Sequence, residues 1–311
     1  MDGALVLDKP EGLTSHDVVA AVRRLLPRGT KVGHTGTLDP FATGVLPVLV
    51  GKATRLAQFL TTSDKVYRAT IAFGCSTTTY DRTGEVVTRA SEDAVRALQP
   101  SVVREVLATF LGTHLQTPPV YSAKKVAGVR AYERARAGDA TPPPPVEVTA
   151  HALTLHAFDA ARGCAEVDVH CAAGFYVRSL AHDLGVALGV PAHLAALRRT
   201  AAGPFVESDA HGLDLVIGEG PAGVTARLRP MGTLLPWMAS LQADEDDRLA
   251  LTHGRAIVKR EADLPADVAS LPLGGRLRIL DAKGTLLAVA VREAPTPGDE
   301  GGRFHGDIVL L

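Results

Sequence analysis

Cysteine is scarce in this chain of 311 residues, which contains only Cys75, Cys164 and Cys171. Their odd number and wide spacing argue against a disulfide framework, and none has the Cys-x-x-Cys or Cys/His spacing of a zinc site. We expect the three thiols to be small buried residues in strands. Such cysteine use fits a reducing compartment, so a cytoplasmic protein is predicted.

An excess of charge of one sign is also missing, because the net charge is −1. Many nucleic-acid-binding domains are clearly basic, and the whole chain is not. Basic residues nevertheless cluster between Lys124 and Arg136, so one face can still be positive. No apolar run approaches the length that spans a bilayer, and acids interrupt Met1–Lys9 where a signal peptide would be apolar. A soluble protein without membrane contact is expected.

Cofactor motifs are absent from the sequence as well. It contains no Gly-x-x-x-x-Gly-Lys-Ser/Thr loop, and the glycines near His34 lack the spacing of a dinucleotide-binding turn. Neither a metal nor an organic cofactor is predicted.

Helix and strand patterns mix without regular alternation, which argues against a doubly wound parallel sheet. Thr14–Asp17 has a capping-box pattern that predicts the start of a helix. Strand patterns cover Tyr67–Phe73, Val146–Phe158 and Cys164–Cys171, the last two as a pair, and Tyr176–Leu188 is helical. The prediction is an α+β fold built on a mixed, mostly antiparallel sheet.

A domain boundary is predicted near Arg227–Leu241, which gives a larger domain over residues 1–230 and a smaller one over 231–311. The proline run Pro142–Pro145 is interpreted as an excursion within the first domain, because strand-like sequence resumes directly after it. Beyond the boundary, strand patterns occur at Arg255–Lys259, Arg276–Asp281, Thr285–Val291 and Asp307–Leu311.

The segment Lys31–Val48 has the composition of an active-site loop. It places one carboxylate, Asp39, among glycines, threonines and prolines, where a backbone can approach a ligand closely. An Asp-Pro dipeptide also starts many ordinary turns, in which the Asp side chain accepts backbone N–H groups. Position alone leaves these two interpretations open.

The string Gly33–Gly44, Gly-His-Thr-Gly-Thr-Leu-Asp-Pro-Phe-Ala-Thr-Gly, resembles the catalytic motif of the TruB family of tRNA pseudouridine synthases. Further segments similar to that family follow in its order, and together they cover roughly residues 3 to 210. They are Asp8–Ser15, Pro118–Lys125, Cys171–Arg178 and Leu197–Phe205.

The resemblance implies three catalytic residues. Asp39 would act as nucleophile or base at the ribose or the uracil, with the glycal route and attack on the base both open. Arg178 would pair with Asp39, since a guanidinium stays charged and binds a carboxylate in a planar fork. Tyr67 would stack on the target uracil and take part in the proton step at C5.

The same resemblance implies contacts to a uridine that has left its loop. His34 would fill or brace the space that the base vacates, and Tyr176 and Leu197 would contact the flipped nucleotide. Two of them have a plainer structural alternative: a turn histidine hydrogen-bonded to backbone for His34, and simple core burial for Leu197.

Basic residues in the matched segments are candidates for phosphate contacts, which position RNA without reading its sequence. They are Lys124, Lys125, Arg198 and Arg199. A solvated surface charge is the alternative for each. For Lys9, a structural role as a brace for the Asp39 loop is equally open.

Two positions depart from the family pattern. An acidic residue is usual after the tyrosine strand, where this chain has Thr77–Asp81, so that carboxylate is either missing or supplied by Asp81. Phe175 stands where a small polar residue is usual. Neither departure removes a catalytic group.

The resemblance implies a pseudouridine-synthase catalytic domain followed by a small PUA-like β-barrel. The expected function is isomerisation of uridine 55 in the T loop of tRNA, by a stand-alone monomer with no cofactor and no obligate protein partner. Base flipping is expected because enzymes that act on a base extrude it. The alternatives are a guide-RNA-dependent synthase and a non-catalytic tRNA chaperone.

Overall fold

A ten-stranded mixed sheet is the frame of the larger part of this computed structural model, which describes residues 1–122, 124–126, 128–139, 141–296 and 301–311. In chain order the strands up to residue 212 are β1 (Gly3–Lys9), β2 (Val32–His34), β3 (Thr43–Val50), β4 (Lys65–Phe73), β5 (Cys75–Thr77), β6 (Val86–Arg89), β7 (Gly112–Gln116), β8 (Lys125–Val126), β9 (Val129–Arg130), β10 (Val146–Asp159), β11 (Cys164–Cys171), β12 (Ala192–Ala202), β13 (Phe205–Val206) and β14 (His211–Gly212). The α-helices of this part are α1 (Ser15–Arg24), α2 (Ala57–Thr61), α3 (Glu92–Arg96), α4 (Pro100–Ala108), α5 (Ala131–Arg136), α6 (Val177–Ala187), α7 (Leu213–Gly218) and α8 (Gly220–Arg227).

The strand order of the sheet is β14-β1-β3-β12-β4-β11-β10-β7, with β13 beside β12 and β2 beside β3. Neighbouring strands are antiparallel except for the pairs β1–β14 and β3–β12, which are parallel. The predicted α+β class with a mostly antiparallel sheet is confirmed.

Several predicted elements are present with small shifts at their ends. The capping box of α1 forms as expected: Asp17 N–H donates to the Thr14 hydroxyl and Thr14 N–H donates to the Asp17 carboxylate. The predicted strand pair is β10 with β11, closed between Asp159 and Cys164. Of the three cysteines, Cys171 is buried, whereas Cys75 and Cys164 are partly exposed.

A second sheet forms the C-terminal part of the chain. Its strands are β15 (Ser240–Gln242), β16 (Ile257–Arg260), β17 (Arg276–Leu280), β18 (Leu286–Glu293) and β19 (Gly301–Val309), and its helices are α9 (Glu245–Thr252) and α10 (Ala266–Ala269). The strand order is β15-β17-β18-β19-β16, so the predicted β17–β18 hairpin is confirmed. The described residues show no pairing between the edge strands β15 and β16.

The two sheets share one apolar cluster. Val6 and Leu49 from the large sheet pack with Leu286, Val289 and Ile308 from the C-terminal sheet. Apolar burial stabilises by roughly 25 cal/mol per Å², so this contact contributes to the stability of both parts. Among the described residues, none of the helices has the length and apolar character needed to cross a lipid bilayer.

Candidate active site

A cleft of about 1050 Å³ opens between the Asp39 loop, β4, the start of α6 and β12. Seven of the residues predicted to act in catalysis or in RNA contact line it: His34, Asp39, Tyr67, Tyr176, Arg178, Leu197 and Arg199. These residues are up to 165 positions apart in the chain, and the sheet order brings them together because β12 lies between β3 and β4.

The Asp39 loop is held in place by its own backbone and by its neighbours. Ala42 N–H donates to the Asp39 carbonyl at 3.0 Å, so a turn does begin at the Asp-Pro dipeptide. Leu38 N–H donates to the Ser15 hydroxyl at 2.9 Å, which ties the loop to α1. The loop ends at Gly44, whose φ of +103° suits glycine and whose missing side chain leaves room for the Arg199 carbonyl.

Lys9 braces this loop, which is the structural one of the two roles that the sequence left open for it. Its side chain is fully buried, and Nζ donates to the carbonyls of Pro10 at 2.8 Å, Leu13 at 2.7 Å and Pro40 at 3.3 Å. Burial lowers the pKa of Lys9 to about 8, which leaves the ammonium charged at neutral pH beside Asp39.

Arg178 binds both oxygens of the Asp39 carboxylate. Nε lies 2.9 Å from Oδ2, and Nη2 donates to Oδ1 at 3.1 Å. The Arg178 side chain is 7% exposed, whereas 31% of the Asp39 side chain is open to the cleft. The predicted pairing is thus present in the two-point geometry that a guanidinium favours.

The protonation of Asp39 depends on this pair. Burial raises the pKa of the Asp39 carboxyl, the Arg178 guanidinium opposes the rise, and the nearby Asp81 adds to it. An isolated carboxylate at this depth would take up a proton more readily than in water. Arg178 therefore favours the charged form of Asp39 against the effect of burial.

Asp81 supplies the second carboxylate that the sequence left open. Its Oδ2 lies 3.5 Å from Arg178 Nη1, and the side chain is buried. Its Oδ1 accepts from the Thr79 hydroxyl at 2.8 Å, the Thr83 hydroxyl at 2.6 Å and the Thr83 N–H at 2.9 Å. The threonines of the Thr77–Gly84 turn were the sequence signal for this arrangement, since their hydroxyls orient a buried carboxylate.

Tyr67 and Arg199 face each other across the pair β4–β12. The Arg199 guanidinium lies close enough to the Tyr67 hydroxyl to interact with it electrostatically, and burial raises the pKa of Tyr67, which keeps the phenol protonated at neutral pH. Arg199 also donates to the carbonyls of Val45 at 2.7 Å and Gly36 at 3.1 Å. It therefore joins the strand of Tyr67 to the Asp39 loop.

The burial of Arg199 contradicts its predicted contact with RNA phosphate. Its side chain is 1% exposed, and its donors are directed at protein carbonyls. The alternation of strand β12 explains the difference, because consecutive residues point to opposite faces of a sheet. Arg198 points outward where Arg199 points inward.

Arg198 is partly exposed but already paired. It binds both oxygens of Asp8, at 3.0 and 2.9 Å, and its Nε donates to Glu207. Lys124 is exposed, whereas the side chain of Lys125 lies outside the described residues. The phosphate contacts of these three residues stay predictions.

His34 lines the cleft and also makes the backbone contact of a turn histidine. Gly36 N–H donates to His34 Nδ1 at 3.2 Å, so the proton of the neutral ring is on Nε2. The His16 ring packs edge-on at 5.4 Å. Burial, followed by His16 and Arg199, lowers the pKa of His34 to about 4, and the ring is therefore neutral at pH 7.

Gln116, which the sequence analysis did not single out, positions Tyr176 at the start of α6. Its side-chain oxygen accepts from Tyr176 N–H at 2.8 Å and its amide donates to the Tyr176 carbonyl at 3.1 Å. A lone glutamine carries no sequence signal for such a clamp.

Leu197 belongs to the core and to the cleft wall at once, with 8% exposure.

No group of three or more His, Cys, Asp or Glu side chains among the described residues is arranged to hold a metal ion.

Comparison with known proteins identifies the family of the chain. The model of the N-terminal domain of TruB family pseudouridylate synthases matches residues 23–177, and that of the tRNA pseudouridylate synthase B C-terminal domain matches residues 178–235. A protein of Solibacter usitatus named tRNA pseudouridine synthase B is 43% identical over 291 residues, which cover 93% of this chain and 95% of the relative. One of the same name from Geobacter sulfurreducens is 42% identical over 295 residues, with 93% of each chain covered.

A solved structure shares the fold over nearly the whole chain. It is a chain from an H/ACA RNP bound to a substrate RNA that contains 2′-deoxyuridine, with a TM-score of 0.71 and 24% identity, covering 99% of this chain and 85% of that one. Motifs, fold and relatives agree, and the chain belongs to the TruB family of pseudouridylate synthases.

Proposed function

We propose that this protein converts a uridine in the T loop of tRNA, at position 55, to pseudouridine. The observation that carries the proposal is the Asp39 carboxylate, held at both oxygens by Arg178 and open to a cleft. Curated relatives that align over 93% of the chain are named tRNA pseudouridine synthase B.

The reaction is an isomerisation with no added group. The C1′–N1 glycosidic bond breaks, the uracil turns within the cleft, and a new bond joins C1′ to C5. The proton leaves C5 and N1 gains one, so atoms and electrons balance. Asp39 acts as the nucleophile or base, and the Arg178 guanidinium favours its charged form, whereas burial raises its pKa.

The uridine enters the cleft by leaving the loop of its tRNA, at a cost of a few kcal/mol in unstacking. Tyr67 and Leu197 lie where they can pack on the uracil, and stacking on an aromatic ring contributes about 1–3 kcal/mol per base. Tyr176 borders the same space, and neutral His34 at the mouth fills the position that the base vacates.

RNA outside the cleft is held by shape and by phosphate contacts, as is usual for structured loops. Lys124, Lys125 and Arg198 are the proposed phosphate contacts, with Arg198 first released from Asp8 or Glu207. The C-terminal sheet acts as a PUA-like module that extends the grip along the tRNA. The protein works in the cytoplasm as a monomer without an obligate protein partner.

The test is tritium release from a T-arm stem-loop labelled at C5 of its uridines, followed by mapping of the modified position. Wild-type protein should release tritium from the T-loop uridine alone. The Asp39→Asn variant should release none and should bind tRNA within about a few-fold of wild type, because the substitution removes the reactive carboxylate and little volume.

Three results would contradict the proposal in different ways. Normal turnover by Asp39→Asn would refute the role of Asp39. Tight tRNA binding without tritium release by wild type would favour a tRNA chaperone. Release that requires an added guide RNA would favour the guide-dependent alternative.

A further inference from the structure

Two aromatic rings stack beside the site without a part in the chemistry proposed above. The rings of Tyr80 and His182 are nearly parallel, with 3.9 Å between centroids and 10° between planes. Tyr80 precedes Asp81 in its turn, and His182 lies on α6 with Arg178. The stack therefore joins the turn that carries Asp81 to the helix that carries Arg178.

Arg178 and His182 lie one turn apart on α6, so their side chains share a face. Both contact the same short turn. Arg178 Nη1 donates to the Thr79 carbonyl at 3.2 Å and faces Asp81 at 3.5 Å, while His182 covers Tyr80. Three successive residues of the turn are thus contacted by one helix face.

The turn is held in a strained conformation. Tyr80 has a φ of +62° and is the only non-glycine residue with positive φ in the part of the chain that the structure describes. A side chain with a Cβ disfavours this region, and such a residue persists only where its surroundings over-determine it. Leu194 N–H donates to the Tyr80 carbonyl at 2.9 Å, and the stack fixes the ring.

His182 contributes through its flat face rather than through polar contacts. Its Nδ1 is buried and has no hydrogen-bond partner. Burial also lowers the pKa of His182, which keeps the ring neutral at pH 7. A buried imidazole with an unused nitrogen costs free energy, and its close aromatic contact is with Tyr80.

We infer that the Tyr80–His182 stack holds Asp81 against Arg178 and thereby sets the geometry of the Arg178–Asp39 ion pair. Both are positioning residues, because they act through Arg178 and Asp81. The inference rests on the proposed function, in which Arg178 favours the charged form of Asp39 and aims it at the substrate.

The experiment measures single-turnover pseudouridine formation on a T-arm stem-loop, with tRNA binding and thermal stability in parallel. His182→Ala should lower the rate constant at least about ten-fold, since a misplacement of about 1 Å at a reacting centre costs on the order of 10²-fold. The Kd for tRNA should stay within about two-fold. His182→Phe should recover most of the rate, because a flat ring can still stack and no hydrogen bond of Nδ1 is lost.

Two controls separate positioning from simple packing. Val186→Ala alters an exposed residue one turn further along α6 and should leave the rate unchanged. In an Asp81→Asn background, His182→Ala should cause little further loss, because residues that act through one partner are not additive. Should His182→Ala fail to fold, Tyr80→Leu removes the stack from the other side and carries the same expectation.

The inference is overturned if His182→Ala lowers the melting temperature while the folded enzyme keeps its wild-type rate constant. It is equally overturned if His182→Phe is as slow as His182→Ala. An inactive wild-type protein would instead refute the proposed function, so the two failures are distinguishable.

Discussion

One guanidinium forms ion pairs with two carboxylates at the centre of this site. Arg178 binds Asp39 at two points and Asp81 at a third, and its own side chain is nearly inaccessible to solvent. Removing one partner of a buried ion pair typically costs 3–5 kcal/mol, because a charge is left uncompensated. The three residues therefore act as a unit, and the charge on Asp39 is a property of that unit.

Because the folded chain favours the neutral form of His34, the free energy of unfolding depends on pH. Its pKa is about 4 in the folded chain and 6.5 in a free side chain, so between these values the unfolded state binds more protons. The free energy of unfolding thus falls as the pH drops from about 6.5 to about 4. His34→Asn keeps an acceptor near the Nδ1 position and removes the titration.

Urea unfolding at pH 7 and pH 5 tests this effect. The loss of unfolding free energy between the two pH values should be about 2 kcal/mol smaller in His34→Asn than in wild type. His305→Asn, at an exposed position of β19, should follow the wild-type pattern. Equal losses in wild type and His34→Asn would contradict the assignment of the burial effect to His34.

At the scale of elements, local sequence patterns predicted single helices and hairpins, whereas pairings between distant strands could not be predicted from them. The capping box at Thr14 and the strand pair β10–β11 follow from short-range chemistry, and both are present. The parallel pair β3–β12 joins segments about 155 residues apart, and no local pattern specifies it. The burial of Arg199 depends on that pairing, which is why the sequence suggested phosphate contact instead.

Gly44 lies where β3 meets β12, and we expect that no residue with a side chain is tolerated there. A Cβ there would lie 2.2 Å from the Arg199 carbonyl oxygen, and the φ of +103° disfavours any other residue. Gly44→Ala should lower the free energy of unfolding by more than about 2 kcal/mol. It should also lower turnover, because the Asp39 loop ends at this residue.

Gly33→Ala is the matched control in the same motif. A Cβ at Gly33 meets no atom within 4 Å, so the change in unfolding free energy should be about 0.5 kcal/mol or less. Similar losses in both variants would mean that the close approach of Arg199 to Gly44 is not what the motif requires.

At the scale of the whole molecule, the C-terminal sheet packs against the large sheet through buried apolar side chains rather than through exposed ones. The shared cluster includes Val6, Val45 and Leu49 on one side and Leu286 and Val289 on the other. Polar contacts add to it: Lys52 Nζ donates to the carbonyl of Leu311 at 2.7 Å. The C-terminal sheet also has an apolar cluster of its own, which includes Ile257, Leu277 and Phe304. The predicted boundary near residue 230 therefore lies between two parts that each have a cluster and that share a further one.

Leu286→Ala should accordingly destabilise the entire chain in one step. Leu286 is 1% exposed in the shared cluster, and truncating a buried leucine costs about 2–5 kcal/mol. Calorimetry should show a single transition at a lower temperature, with the fluorescence of Trp237, the one tryptophan, changing at the same midpoint. Leu249→Ala, at a half-exposed position of α9, should leave that midpoint nearly unchanged. If Leu286→Ala instead melts one part early and leaves a second transition at the wild-type temperature, the two sheets fold independently and the shared cluster is only a contact between them.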